Sequence, residues 1–259
     1  MQLTILKIGG NIINNAAALH EALDYFAQLV EPAVLVHGGG RKASQVITEM
    51  GREPVMIDGR RITDEATLEI VTMVYAGLLN KNVVAQLQSR GTNAIGLSGA
   101  DANAILARKR PVKTIDYGFA GDVISVNASL IDGLLRLGLR PVLCPITHDR
   151  KGQLLNTNAD TIANEAATAL AQYGYAVSLQ YCFELPGVLK DIQDHGSVIS
   201  RLTPASYAGF KADGTIAAGM VPKLDNAFAA VSAGVKEVVI GDLVALRTGK
   251  GTRCLTAET

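Results

Sequence analysis

Two lysines, one aspartate and a set of glycines carry the chemistry this sequence suggests. Lys7 interrupts the apolar run LTILKIGG and stands just before Gly9 and Gly10. Lys223 follows a glycine in AAGMVPK, where a helical pattern begins, and Asp160 in NTNAD falls in the first turn of another. A lysine at the end of a buried strand must meet a counter-charge or snorkel to water. An aspartate in a first turn is favoured by the helix dipole whatever else it does. Beside glycine loops, the three together read as a site for concentrated negative charge. HGGGR, residues 37–41, supplies the other half. A helix start presents unpaired N–H groups, and glycine lets the backbone come within bonding distance of an anion. LSGAD, residues 97–101, is a third such signal, and in a parallel sheet all three loops meet at one carboxyl edge. No GxxxxGK[ST] occurs and no GxGxxG follows a strand, so neither the P-loop nor the dinucleotide fingerprint applies.

The elements that must position these residues alternate. Short β-rich runs (LTILKIGG, AVLVHG, AIGLSG, RPVLCPI) precede helix-length patterns at 16–30, 41–50, 101–108 and 159–172, followed by AVSLQYCF, a helix over Lys223–Ala233 and EVVIGD. Apolar strands alternating with helices predict an α/β protein with a mostly parallel sheet covered on both faces. The longest helix is expected to start at Thr63 as N-cap, with Asp64 and Glu65 in its first turn and Leu68, Val71, Tyr75, Leu78 and Leu79 on one apolar stripe. PVMIDGRRIT and PVKTIDYGFAGDVISVN break the alternation and read as hairpins turning at Asp58-Gly59 and Tyr117-Gly118. Hairpins between βα units stand at the sheet edge or over its carboxyl ends, where such folds bind ligands.

The 259 residues carry 24 Lys plus Arg against 24 Asp plus Glu, so no bulk field favours nucleic acid or an acidic membrane surface. Cys144, Cys182 and Cys254 show no CxxC spacing and fit reduced, inert thiols. Without an apolar run of membrane length or a signal-peptide cleavage site, the chain is expected to be cytoplasmic. A packed lobe boundary is expected near Gly174, dividing residues 1–174 from 175–259 along one continuous sheet.

KIGG, VHGGGR, GRRITD, GLSGAD, LNTNADTIA, PGVL and GMVPKL, in this order and spacing, resemble the N-acetylglutamate kinases of the amino acid kinase family. The resemblance runs from Lys7 to the final GKGTRC, and NxNAD with GMxxK and GxRxTD separates it from carbamate, aspartate and uridylate kinases. It implies an open, mostly parallel three-layer αβα sandwich of the amino acid kinase type with inserted β-hairpins. It also implies ATP-dependent phosphorylation of the side-chain carboxylate of an N-acylated glutamate, an arginine-biosynthesis step giving an acyl phosphate.

The chemistry agrees. A glutamate carboxylate, with an ordinary pKa near 4.3, is ionised at neutral pH and needs no general base. The reaction needs positioned cations and N–H groups to offset repulsion between an anionic nucleophile and a polyanionic donor. By the resemblance, Lys7 and Lys223 stabilise the transferring phosphoryl group and Asp160 holds both ammonium groups. Gly9, Gly10, Gly39 and Gly40 offer N–H groups, and Arg61 and Asn156 grip the amino acid's other carboxylate and amide. Gly219 and Met220 lie near the nucleotide over the C-terminal lobe, with Mg2+ held by phosphates and water rather than by protein ligands. Where that family usually reads TDVPG this chain reads CFELPG, which sets Glu184 at the nucleotide.

Three further expectations follow. Arg60 stands where relatives commonly carry leucine, which admits a second carboxylate and hence an N-succinyl acceptor beside the acetyl one. A silent metabolite sensor of the same fold would not need Lys7, Lys223 and Asp160 together, and a free-glutamate kinase would want an acidic partner for the ammonium. Six residues precede Lys7, leaving no room for the N-terminal helix of arginine-inhibited relatives; the expectation is a homodimer, paired through the helix beginning near Thr63, that arginine does not inhibit.

Overall fold

The computed structural model describes residues 1–216 and 220–256. The first half runs β1 (Gln2–Ile8), α1 (Gly10–Ile13), α2 (Ala16–Gln28), β2 (Ala33–His37), α3 (Gly40–Glu49), β3 (Met56–Ile57), β4 (Arg60–Arg61), α4 (Glu65–Thr72), α5 (Asn80–Gln88), β5 (Ala94–Leu97), β6 (Ile105–Lys109), β7 (Gly121–Val126) and α6 (Ala128–Arg136). The second runs β8 (Arg140–Leu143), β9 (Ile146–His148), β10 (Leu154–Asn156), α7 (Ala159–Gln172), β11 (Ala176–Cys182), β12 (Arg201–Leu202), α8 (Pro204–Ala212), α9 (Val221–Ser232), β13 (Glu237–Gly241), α10 (Leu243–Thr248) and β14 (Thr252–Cys254).

Eight strands form one sheet in the order β12-β14-β13-β11-β1-β2-β8-β5, parallel throughout except between β13 and β14. β1 lies at the middle, so both flanks are paired and both faces covered, which is why its run is apolar rather than alternating. The period of two still sorts its residues. Leu3 and Ile5 pack with Ile162 and Ala166 of α7, whereas Leu6 and Ile8 pack with Leu23 and Phe26 of α2. Lys7 therefore points to the α7 side. On β2, Val34 and Val36 share that face, while Leu35 joins the other core and His37 turns to the side of α5.

The helices expected at 16–30, 41–50, 159–172 and 223–233 are present as α2, α3, α7 and α9. The helix expected at 101–108 is not. A single 3-10 turn at Asp101–Asn103 gives way to β6, because Ala102 and Asn103 take positive φ of 47° and 54° that no helix continues through. β6 supplies the strand that pairs antiparallel with β7, so the hairpin expected within residues 111–127 spans 105–126 instead, with 111–119 as its connection. These strands join β9 and β10 in a four-stranded sheet of order β10-β9-β6-β7.

The hairpin at Asp58-Gly59 is as expected: both residues have positive φ, 49° and 72°, the requirement of a tight two-residue turn. The long helix begins one residue late. Asp64, not Thr63, is its N-cap, accepting from Thr67 N at 2.8 Å. Thr63 is held in extended pairing, donating to Tyr117 O and accepting from Phe119 N. Between α4 and α5, Met73–Leu79 winds as a π-helix, which adds a residue per turn and rotates the stripe. Tyr75 and Leu79 stay buried, and Leu78, expected on that stripe, is exposed.

Candidate active site

The glycine loops after β1 and β2 lie against each other. A Cβ on Gly38 would sit 3.6 Å from Gly10 N, and one on Gly10 would sit 4.0 Å from Gly40 N. Gly38 N donates to Ile8 O at 3.0 Å, which ties the loops at their bases. Gly39 is also pressed against the helical segment Met73–Leu79: a Cβ there would run into Leu79 Cδ1 and come within 3.0 Å of the Tyr75 ring. Gly10 and Gly40 each begin a helix, so the first N–H groups of α1 and α3 face one crevice without helical partners.

Across this crevice lies the start of α7. Asn158 caps it, accepting from Asp160 N and Thr161 N, and so fixes Asp160 in the first turn. Lys7 Nζ meets Asp160 Oδ1 at 2.5 Å, with 8% of the Lys7 side chain exposed. A Cβ on Gly9 would stand 3.7 Å from the same ammonium, so the glycine leaves the lysine approachable. Among the described residues Asp160 makes no ion pair with Lys223. The Lys223 ammonium rests instead 4.0 Å from the centre of the Phe183 ring, whose centre also lies 5.8 Å from Lys7 Nζ. Desolvation lowers the Lys223 pKa below the ordinary lysine range and the Lys7 charge adds to this, while the Asp160 and Glu184 carboxylates oppose it. Phe183 was not singled out from the sequence; its place beside Glu184 in CFELPG was the available signal.

Two cavities open here. The smaller, about 180 Å³, is lined by Lys7, Asp160, Gly39, Asn156 and both arginines of the GRR segment. Arg61 is 5% exposed and spends Nη2 on Gly40 O at 2.9 Å and Ser44 Oγ at 2.8 Å. Its Nε and Nη1 are buried without a hydrogen-bond partner. A buried guanidinium with N–H groups unspent is costly unless a ligand completes it, and an anionic oxygen such as one of a carboxylate is an acceptor that would serve it. Asn156 is joined to the same wall: its Nδ2 donates to Thr63 Oγ1 at 3.0 Å, and Thr63 Oγ1 donates to Arg61 O at 2.9 Å.

The larger cavity, about 680 Å³, is lined by Gly9, Phe183, Glu184, Gly187, Met220 and Lys223. Gly10, Gly40, Met56 and Arg61 line both, so the two spaces meet at the glycine loops. Gly219 lies outside the described residues. The third glycine loop, residues 97–101, lines neither cavity. It follows β5, the edge strand three places from β1, and Gly99 packs against Ile105 O and the Thr147 backbone. The site thus has one small chamber lined by Lys7, Arg60 and Arg61, and one larger chamber of mixed polarity, with an ammonium in each.

The family model described as the amino acid kinase family matches residues 2–242. An acetylglutamate kinase of Bacteroides thetaiotaomicron is 53% identical over 252 residues, covering 97% of this chain and 98% of its own. One of Cytophaga hutchinsonii is 55% identical over 240 residues, covering 92% and 90%. Among solved structures, the smu.665 protein of Streptococcus mutans superposes with a TM-score of 0.79 at 27% identity, over 98% of this chain and 99% of that one.

Proposed function

The chain belongs to the amino acid kinase family, and we propose that it moves the terminal phosphoryl group of ATP to the side-chain carboxylate of N-acetyl-L-glutamate, an acyl-phosphate-forming step of arginine biosynthesis. The observation that carries this reading is the pair of unspent Arg61 donors in a chamber that opens onto the glycine loops. The amino acid's main-chain carboxylate completes Arg61, Asn156 meets its acyl amide, and the side-chain carboxylate then extends toward Lys7 and the N–H groups of Gly39 and Gly40. ATP occupies the larger chamber, between Gly9, Gly10, Glu184 and Met220, with its phosphates toward Lys223. Residues 1–174 accordingly hold the acyl-glutamate and residues 175–259 the nucleotide.

No group needs to take a proton from the nucleophile, which is ionised at neutral pH. The residues instead lower the cost of bringing anions together. Lys7, held by Asp160, is oriented before the substrates arrive, so its field costs no reorganisation during transfer. Lys223 approaches from the nucleotide side and leaves the Phe183 face for the phosphates. No set of three His, Cys, Asp or Glu side chains among the described residues forms a metal cage. Mg2+ would enter with ATP, held largely by phosphate oxygens and water, and would neutralise part of their charge. A homodimer paired through the long helix accords with the exposure of Met73 and Leu78 on it. No helix among the described residues is long and apolar enough to cross a membrane, and we place the enzyme in the cytoplasm.

An ADP-release assay with N-acetylglutamate, N-succinylglutamate and glutamate tests the reading. Turnover with an acyl-glutamate but not with glutamate is expected; none with any of the three overturns it. Arg60 favours keeping the succinyl acceptor in that panel. It is half-buried and lines the smaller chamber, where desolvation and, less strongly, the nearby Arg110 charge lower its pKa while the Asp122 carboxylate opposes this. If Arg60 reads the acyl group, Arg60→Leu shifts the succinyl-to-acetyl ratio of kcat/KM by roughly ten- to a hundredfold, the worth of one charge-assisted hydrogen bond. An unmoved ratio leaves acetyl as the acceptor.

A further inference from the structure

His37 is fully buried, ends β2 and takes no part in the transfer described above. Both of its ring nitrogens are engaged. Nδ1 lies 2.8 Å from Gly38 O, and a carbonyl only accepts, so Nδ1 carries the proton. Nε2 lies 3.2 Å from Asn80 Nδ2 and, on a neutral ring, is the acceptor. The Asn80 orientation is fixed in turn. Its Nδ2 also donates to Val142 O at 3.0 Å and its Oδ1 accepts from Lys81 Nζ at 3.1 Å, an ammonium that also donates to Gly96 O. Turning the amide over would set oxygen against the Val142 carbonyl and nitrogen against the lysine. The ring is thus held in one tautomer by groups from α5, β8 and, through Lys81, β5. Burial keeps it neutral, with its pKa lowered to about 4 by desolvation and, less strongly, by the Lys81 charge, against the opposing pull of the Gly38 bond.

What the ring holds is the peptide between Gly38 and Gly39. In a trans peptide the C=O and the following N–H point in opposite directions. A Gly38 carbonyl turned onto the imidazole therefore turns the Gly39 N–H the other way, toward the chamber that Gly38, Gly39 and Gly40 line. Glycine gives a peptide plane little resistance to flipping. A flipped plane would present a carbonyl oxygen to an anion where a donor is needed. We infer that His37 is a positioning residue for phosphoryl transfer: its Nδ1–H pins the Gly38 carbonyl, with Asn80 fixing the tautomer, so that the loop offers donors and not an acceptor to the substrates. This rests on the kinase reading above.

Two amide replacements separate the role from simple packing. His37→Asn places an NH₂ group where Nδ1 stood and takes away the acceptor that Nε2 offered Asn80, which keeps its bonds to Val142 O and Lys81; His37→Gln can reach Asn80 but has nothing at the Nδ1 position. A structural role makes activity follow stability, so the shorter Asn, with a larger void and one hydrogen bond fewer to Asn80, is the worse variant in both. Positioning reverses the order for activity. His37→Gln is expected to lose about a hundredfold in kcat/KM for the acyl-glutamate, the scale of a misplaced catalytic geometry. His37→Asn, though lower in Tm, stays within about tenfold of the native enzyme. The ¹⁵N spectrum of labelled histidine in the native protein should show a neutral ring protonated at Nδ1, a readout independent of turnover. An Nε2-protonated ring, or activities ranked in the order of Tm, overturns the inference. If the native protein phosphorylates neither acyl-glutamate, it is the kinase reading that falls, and calorimetric binding of Mg-ATP then ranks the two variants in place of kcat/KM.

Discussion

Arg61→Lys keeps the charge and removes the fork. In the native site one terminal nitrogen is committed to Gly40 O and Ser44 Oγ while Nε and Nη1 remain unspent. A lysine ammonium has three donors around one atom and cannot serve the loop on one side and a planar carboxylate on the other. If it stays with Gly40 and Ser44, the substrate carboxylate loses its donor; if it follows the substrate, the loop loses its tie. One charge-assisted hydrogen bond contributes about 1.5 to 3 kcal/mol, so losing at least one raises the KM for the acyl-glutamate by roughly ten- to a hundredfold. Because this carboxylate does not react, its binding is alike in ground and transition states, and kcat should change far less than KM. Steady-state kinetics with each substrate varied separately give the assay. A KM for the acyl-glutamate within about threefold of native, or an equal rise in the KM for ATP, would refute the assignment of the unspent donors to that carboxylate.

Lys7→Ala and Lys223→Ala should each lower kcat by about a hundredfold or more, as loss of a preorganised charge-stabilising group does; near-native turnover in a folded Lys223→Ala protein would remove that lysine from the mechanism. Gly39→Ala should cost about 1 to 3 kcal/mol of stability in urea unfolding, because the new methyl overpacks Leu79 and Tyr75. His37 gives a pH dependence of stability. The unfolded chain binds a proton on it near pH 6.5 and the folded one only near 4, so its contribution is intact above pH 6.5 and is lost as the pH falls toward 4. At pH 5 that loss is about 2 kcal/mol relative to pH 7.5, and it should be missing from the same comparison made on His37→Asn. Cys144, Cys182 and Cys254 are buried, with desolvation pushing each thiol up to about 12, so none should react with iodoacetamide until the protein is unfolded.

The sheet and most of its helices were legible because apolar runs and 3.6-residue stripes record burial, and burial is what the sheet imposes. The candidate site residues stand in the sequence as motif matches, and the fold brings Lys7, Asp160, Arg61 and Asn156 to the lining of one chamber. Three things were not legible. Residues 101–108 read as a helix because alanine and the apolar positions suit either state; the decision lies with two positive-φ residues, of which only Asn103 is of a type that favours that region. The π-helix at Met73–Leu79 left no trace in a stripe counted with an α period, so Leu78 was placed on the wrong face. Lys223 and Asp160 were expected to pair; the ring of Phe183, distant from Lys223 in sequence, takes that place through the fold alone.

The hairpin β3–β4 stands apart from the rest of the site in what it asks of evolution. The loop donors are main-chain amides, so substitution of side chains elsewhere leaves them in place, and the loops themselves accept almost no replacement at Gly39. On the reading proposed above, discrimination among acceptors falls instead to a short ribbon whose turn, Asp58-Gly59, needs only backbone geometry, and whose Arg61 is tied across to Gly40 O. On that reading phosphate capture and acceptor choice are written on separate segments of chain. A library confined to residues 54–62, with Arg61 kept, would retune which amino acid derivative is taken up while leaving the ATP-facing amides untouched, and this ribbon is where a lineage changing its acceptor would record the change first.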